Sequence, residues 1–169
     1  MDTTKFLIAV DASDNALRAV TYTGDVLGAL LSSSGEVPFR VTLLYIERLP
    51  DRDYYADEGA WKTSCETHRR DMRDFLAQAG QLLKDKGLPE SAVDVQYLDS
   101  CSSPFLSEGA ACSRGTSIAQ EIMRYLQAGE YGTAVVGRRG VSKAEEFLFG
   151  SVSSKIIHCA RDCTVWVVA

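Results

Sequence analysis

Two histidines, two tryptophans and four prolines are all that this chain of 169 residues holds of those types, and each scarcity excludes something. His68 and His158 leave little from which to build a metal site. Cys65 shares a helix face with His68, and His158-Cys159 shares another with Cys163, but neither group forms a tight ligand cluster. Five cysteines are an odd number and lack CxxC spacing, so no secreted disulfide framework is expected. They read as buried or spare thiols, with a bridge between Cys101 and Cys112, which lie in one loop, as the alternative. Long apolar runs are missing too. The longest is five residues, as in Phe6–Val10, where a membrane span needs about 20 and the core of a signal peptide at least about 7. Positive charge is in deficit: 18 Lys and Arg against 23 Asp and Glu leave a net charge of −5. That is the wrong sign for neutralising a nucleic-acid backbone or for a polybasic membrane anchor. The expectation is a soluble, cytoplasmic protein with no nucleic-acid and no membrane partner.

What is present is a globular composition, 46% apolar and 24% charged, at a length that suits one domain over residues 1–169. Phe6–Val10, Val41–Ile46, Thr133–Val136 and Thr164–Val168 are short runs rich in β-branched residues and apolar on both alternating faces. Strands of a parallel sheet covered on both sides read this way. Ala92–Leu98 alternates more and is expected nearer an edge. Helical stripes separate the strands. Leu17, Val20, Gly24, Leu27 and Leu31 follow a cap at Ser13 or Asp14, and Gly35 lies beyond the end. Trp61, Cys65, Met72, Leu76, Ala79 and Leu83 make a longer stripe closed by Lys84, Lys86 and Gly87. Ser117 and Gln120 read as a capping box before Ile118, Ile122 and Leu126. Val152, Ile156, Cys159 and Ala160 form the last stripe. The order β-α-β-α-β-α-β-α-β predicts an α/β fold, an open five-stranded parallel sheet with helices on both faces.

Two connections exceed what the fold needs. Glu47–Gly59 is acidic, and Asp99–Arg114 is Ser-rich with Pro104 and Phe105; loops of this length are commonly lids or disordered. Mobility is expected of Asp99–Arg114, whose small residues offer little burial. In such a sheet, ligands bind at the carboxyl ends of strands where the strand order reverses. Asp11 lies at the end of the first strand, with Ser13 at a helix start. Gly137-Arg138-Arg139-Gly140 ends the fourth, and Gly150-Ser151 opens the last helix. Glycines let backbone N–H groups approach anionic oxygens, and a helix N-terminus adds unpaired donors and the positive end of its dipole. Ser151 and Ser153 add hydroxyls, and Arg138 or Arg139 adds charge. Taken one at a time, each element also reads as a turn glycine, a helix cap or a solvated arginine.

Together, Gly137, two residues, Gly140, nine residues and Gly150-Ser151 resemble the G-2x-G-9x-G-S/T signature of ATP-binding universal stress proteins. Lys5–Ser13 resembles that family's first strand with its Asp. Val41–Ile46 resembles the second, with Tyr45 where a His is frequent. Ala134–Gly137 and Thr164–Val168 resemble the fourth and fifth. The resemblance implies a Rossmann-like sheet in order 3-2-1-4-5 and a homodimer joined through the last strand, whose two apolar faces and free edge are themselves a template for pairing. It implies ATP with Mg2+ at the carboxyl ends of strands one and four. Carried over by position, Ala9, Val10 and Asp11 line the nucleotide, Asp11 near Mg2+. Ile46 meets adenine through its backbone. Val136, Gly137, Arg138 and Gly140 flank the ribose and phosphates, and Gly150, Ser151, Val152 and Ser153 bind the phosphate chain. Arg138 stands where a small hydroxyl residue is frequent in the family, and Asp99–Arg114 is longer than the family's usual turn.

The implied function is that of an ATP-binding regulatory protein of the stress response, whose nucleotide state modulates partners. Two alternatives accompany it. One is an enzyme of a related nucleotide-binding fold, against which stands the lack of HxGH, SGGxDS, GxGxxG and GxxxxGK[ST] motifs and of any nucleophile–base pair. Slow ATP hydrolysis is the most that is expected. The other is a dimeric interaction module that keeps the fold without a ligand.

Overall fold

In a computed structural model, which describes residues 1–34, 39–115, 117–138 and 151–169, the strands are β1 (Asp2–Ala9), β2 (Arg40–Ile46), β3 (Val93–Leu98), β4 (Tyr131–Gly137) and β5 (Thr164–Val168). The helices between them are α1 (Asp14–Ser34), α2 (Glu58–Asp85), α3 (Ile118–Ala128) and α4 (Ser151–Cys159). All strand pairs are parallel, and the order is β3-β2-β1-β4-β5. The alternation of side chains explains why the strands read as apolar throughout. Phe6, Ile8 and Val10 of the first strand segment, with Val41, Leu43 and Tyr45 of β2, belong to a core beneath α1 and α2. Leu7, Leu44, Ile46, Ala134 and Val136 belong to a second core beneath α3 and α4. The more alternating strand, β3, is at one edge, and β5 is at the other.

Helix α1 packs closer to the sheet than its leucines suggest. Its buried positions include Ala16, Ala19, Val20, Thr23, Gly24, Leu27 and Gly28, while Leu17 is half-buried. Small side chains bring the helix axis in, and the buried Thr23 hydroxyl donates to the Ala19 carbonyl at 2.8 Å, so its polarity costs little. The cap is Ser13, whose Oγ accepts the Ala16 N–H at 3.2 Å.

Some expectations are corrected. β1 begins at Asp2, because Asp2 Oδ1 accepts the Thr4 N–H at 2.9 Å and the Asp2 N–H reaches the Glu130 carbonyl; polar residues extend the strand where no core faces them. The capping box at Ser117 and Gln120 does not form, since Ser117 makes no side-chain cap bond. Its Oγ instead accepts from Lys155 Nζ at 3.3 Å. Cys159, placed in the last apolar stripe, is exposed. Cys101 and Cys112 are not spare thiols but a disulfide.

The Asp99–Arg114 connection is held rather than loose. Ser100 and Ser113 form a parallel bridge, the Cys101 N–H donates to the Ser113 carbonyl at 2.8 Å, and the Ser113 N–H donates to the Asp99 carbonyl at 2.7 Å. Ser103 and Ser113 are buried. The small residues that suggested looseness are what let the loop fold back on itself.

Candidate functional site

The strand order sets where a site can be. The chain runs outward from β1 through β2 to β3, then returns to lay β4 against the other side of β1. The connections leaving β1 and β4 therefore diverge and leave a crevice at the carboxyl edge. A cavity of about 80 Å³ lies there, lined by Ala9 at the end of β1, Val10 and Asp11 after it, Val136 and Gly137 of β4, and Val152 and Ser153 of α4. A second cavity of about 250 Å³ shares Ala9, Val10, Asp11 and Val152 with it and extends over the end of β2 to Ile46, Tyr45 and His68. The two form one cleft across the ends of β2, β1 and β4.

The turn after β1 is held by its own side chains. Asp11 Oδ1 accepts the Ser13 N–H at 3.2 Å and the Ser13 hydroxyl at 2.5 Å. Ala12 between them is left-handed, with φ 58°, a conformation costing about 1 kcal/mol or more for a residue with a Cβ. Asp11 is exposed, and among the described residues its Oδ2 makes no hydrogen bond. One carboxylate oxygen thus builds the turn and the other is left for a hydroxyl or a cation.

Gly137 has a packing reason to be glycine. A Cβ there would stand 2.5 Å from the backbone carbonyl carbon and oxygen of Asn15 and 2.9 Å from the Ala16 nitrogen. The first turn of α1 is seated directly on the end of β4. Ser153, 4% exposed, donates its hydroxyl to the Gly137 carbonyl at 3.2 Å and ties α4 to the same spot. The Arg138 N–H donates to the Val168 carbonyl at 2.6 Å and prolongs the β4–β5 ladder. Gly140 and Gly150 lie outside the described residues, as does the Ser151 side chain, although Ser151 begins α4.

At the β2 end, Tyr45 hydrogen-bonds His68 Nε2 through its hydroxyl at 2.8 Å, and burial pushes its phenol up to about 12. Beside it, Glu47 is a buried carboxylate (4% exposed). Its Oε1 accepts the Tyr97 hydroxyl at 2.9 Å and its Oε2 the Ser100 N–H at 2.8 Å. Arg69 pairs with Asp99 at 2.6 Å while its guanidinium lies over the rings of Tyr97 and Phe105. Desolvation raises the Asp99 carboxyl above its ordinary value, against the pull of Arg69. Among the described residues no group of three His, Cys, Asp or Glu is placed to hold a metal ion.

The sequence reading missed the α3 wall of this cleft. Ile118 and Ile122 line both cavities, although their spacing marked them only as core. The usable signal was position: in a parallel βα sheet every helix starts at the carboxyl edge, so the first turn of each helix borders the crevice. Ala16 in α1 and Ile118 in α3 satisfy that rule.

No curated protein is significantly similar to the chain in sequence. Solved structures share its fold. The universal stress protein UspA from Lactobacillus plantarum superposes with a TM-score of 0.63 at 18% identity, covering 100% of this chain and 99% of the other. A universal stress protein family protein from Arabidopsis thaliana with AMP bound gives 0.59 at 17% identity, covering 99% and 91%. A universal stress protein in complex with cAMP gives 0.62 at 15% identity, covering 99% and 98%. In sequence, residues 112–169, which comprise α3, β4, α4 and β5, match the universal stress protein family.

Proposed function

We propose that this chain is a universal stress protein that binds an adenine nucleotide in the β1–β4 cleft, ATP with Mg2+ being the form its glycine motif suits. In this reading it acts as a cytoplasmic regulatory homodimer paired through β5. The observation that carries the reading is the cleft itself. Ala9, Val10, Asp11, Val136, Gly137, Val152 and Ser153, nominated from sequence for a nucleotide, surround one cavity, and Ile46 lines its continuation. Their chemistry suits the ligand. Ile118, Ile122, Val136 and Val152 offer apolar walls to a base, and Asp11 Oδ2, without a hydrogen bond among the described residues, suits a ribose hydroxyl or Mg2+. The start of α4 offers phosphate the N–H groups that a helix's first turn leaves without intrahelical partners. Ser153 gives its proton to Gly137 and so meets a ligand only as an acceptor. The AMP and cAMP bound by two proteins of the same fold support an adenine nucleotide in general.

One observation favours the alternative, an interaction module without a ligand: packing alone requires glycine at 137. Ligand binding separates the two. A nucleotide at a hundredfold excess over its Kd stabilises the folded state by about 2.7 kcal/mol, or roughly 5–10 °C for a domain of this size. Ile118→Trp, which fills the shared wall, should remove that shift and leave the unliganded melting point within about 2 °C. Mass spectrometry of the denatured, freshly purified protein should release an adenine nucleotide. No released nucleotide and no shift with ATP, ADP or AMP would defeat the reading. Light scattering should give a dimer that Val167→Lys, on the edge strand, converts to a monomer.

A further inference from the structure

The Cys101–Cys112 bridge closes the connection between β3 and α3, and its setting suits a bond that opens and closes. Cys101 is exposed and Cys112 half-buried, so a reductant reaches the bridge from the Cys101 side. The hydrogen bonds within residues 102–111 are local to the loop, from the Leu106 N–H to Ser103 and from the Ala110 N–H to Ser107. Its contact with α2 is Phe105 beneath the Arg69 guanidinium, 5.6 Å from the ring centroid. Immediately outside the bridge the chain is pinned, by the Ser100–Ser113 pairing and its two backbone hydrogen bonds. Reduction would free the loop and loosen this root, whose two backbone hydrogen bonds still guide the two thiols back together for re-formation.

The root borders a cavity that adjoins the cleft. Ser100 and Ser117 line a cavity of about 430 Å³ with Arg48 and Lys155. Ile118 and Val152 form the wall between this cavity and the base end of the cleft. Glu47, next in sequence to Ile46, accepts the Ser100 N–H. A shift of the root takes away one of the two donors of a buried carboxylate at the end of β2, and a buried carboxylate that loses a partner pulls its backbone with it or admits water.

We propose that Cys101–Cys112 is a reversible thiol–disulfide exchange site for a dithiol reductant, and that its state sets, through Ser100 and Glu47, the end of β2 at the base end of the cleft. A thiolate of the dithiol attacks Cys101 Sγ. The Cys101–Cys112 bond breaks, and Cys112 departs as thiolate and takes a proton from water. The dithiol's second thiolate then attacks its own sulfur in the mixed disulfide and releases Cys101, which is protonated in turn. Two electrons pass to the protein, and the dithiol becomes a disulfide. Disulfides that work inside reducing compartments are characteristically of this transient or sensing kind. The effect on the cleft rests on the nucleotide-binding reading; the exchange itself does not.

The test uses the full chain in air-oxidised form, after dithiothreitol, and as the Cys101→Ser/Cys112→Ser double variant. In denaturant the oxidised protein should show three thiols, from Cys65, Cys159 and Cys163, and the reduced protein five. Reduction and the double variant should each speed amide exchange at Cys101 and Ser113 at least tenfold, with α2 and β4 unchanged, and air should reverse the effect in the wild type only. AMP should bind the oxidised form several-fold more tightly. Five thiols in the oxidised protein, or equal exchange in all three samples, overturns the proposal. Equal AMP affinity with altered exchange overturns its link to the cleft. AMP binding to no sample is a failure of the nucleotide reading, and the exchange data then decide the switch alone.

Discussion

Gly137→Ala separates a glycine kept for packing from one kept for a ligand. The added methyl would lie 2.5 Å from the Asn15 carbonyl carbon and oxygen and 2.9 Å from the Ala16 nitrogen. All three are backbone atoms, so no side chain can swing aside; the first turn of α1 must retreat by roughly 0.5–1 Å, an overpacking that costs about 2 kcal/mol. Alanine restricts the unfolded chain and offsets about 0.5 kcal/mol of this. The net loss, about 1.5 kcal/mol, lowers the melting temperature by roughly 3–6 °C at this chain length. The assay is thermal unfolding followed by circular dichroism, without nucleotide. Gly80→Ala is the matched control. Gly80 is buried in α2, but its added Cβ would meet Val95 Cγ2 at 3.4 Å and Leu43 Cδ1 at 3.9 Å, ordinary contacts. Relief of a mid-helix glycine is worth about 0.5–1 kcal/mol, so this variant should melt higher. A Gly137→Ala protein that melts within 1 °C of wild type would refute the argument, because α1 could not then be seated on the end of β4.

Three further outcomes are expected. Arg69→Ala strips a mostly buried Asp99 of its ion partner and uncovers Tyr97 and Phe105. It should cost about 2–3 kcal/mol in urea unfolding, whereas Arg52→Ala, which breaks an exposed pair with Glu58, should cost less than about 1 kcal/mol. Tyr45 is held neutral up to about 12, above the ordinary 10 of an unfolded tyrosine. The stability it contributes is therefore complete below pH 10 and lost as pH rises from 10 through 12, so Tyr45→Phe should move the alkaline unfolding midpoint upward, read by ultraviolet absorbance against pH. Gly132→Ala drives a methyl into the Asp2 carbonyl and to within 2.7 Å of Thr3 Cα; it should fray β1 from β4 and accelerate amide exchange at residues 2–4, with exchange at Leu7 and Ile8 little changed.

The elements of this fold, their type and their sequence were legible from the chain alone. Residues 6–10 and 41–46 alternate between two cores, and burial on both faces leaves a mark that each segment carries within itself. The cap at Ser13 is legible for the same reason, as a bond across three residues. In α1, Val20, Gly24 and Leu27 of the stripe are buried, while the burial of Ala16 and Ala19 in preference to Leu17 depends on the sheet beneath them. Ser117 was read as a capping residue, but α4 supplies Lys155 to its hydroxyl.

What the tertiary structure decided are the encounters between segments far apart in the chain. Glu47 meets Tyr97 and Ser100, Arg69 meets Asp99, Ile118 faces Ala9 and Val152 across the cleft, and Cys101 closes on Cys112. Composition left the cysteines open between spare thiols and a bridge; the hydrogen-bonded root that brings them together is a matter of two chain directions, not of spacing. The physical reason is one of range. Periodicity and capping are properties of a few adjacent residues, whereas a cleft wall or a buried ion pair exists only once the strand order has set which ends are neighbours. That order follows from the return of the chain from β3 to β4 beside β1, which no single segment encodes.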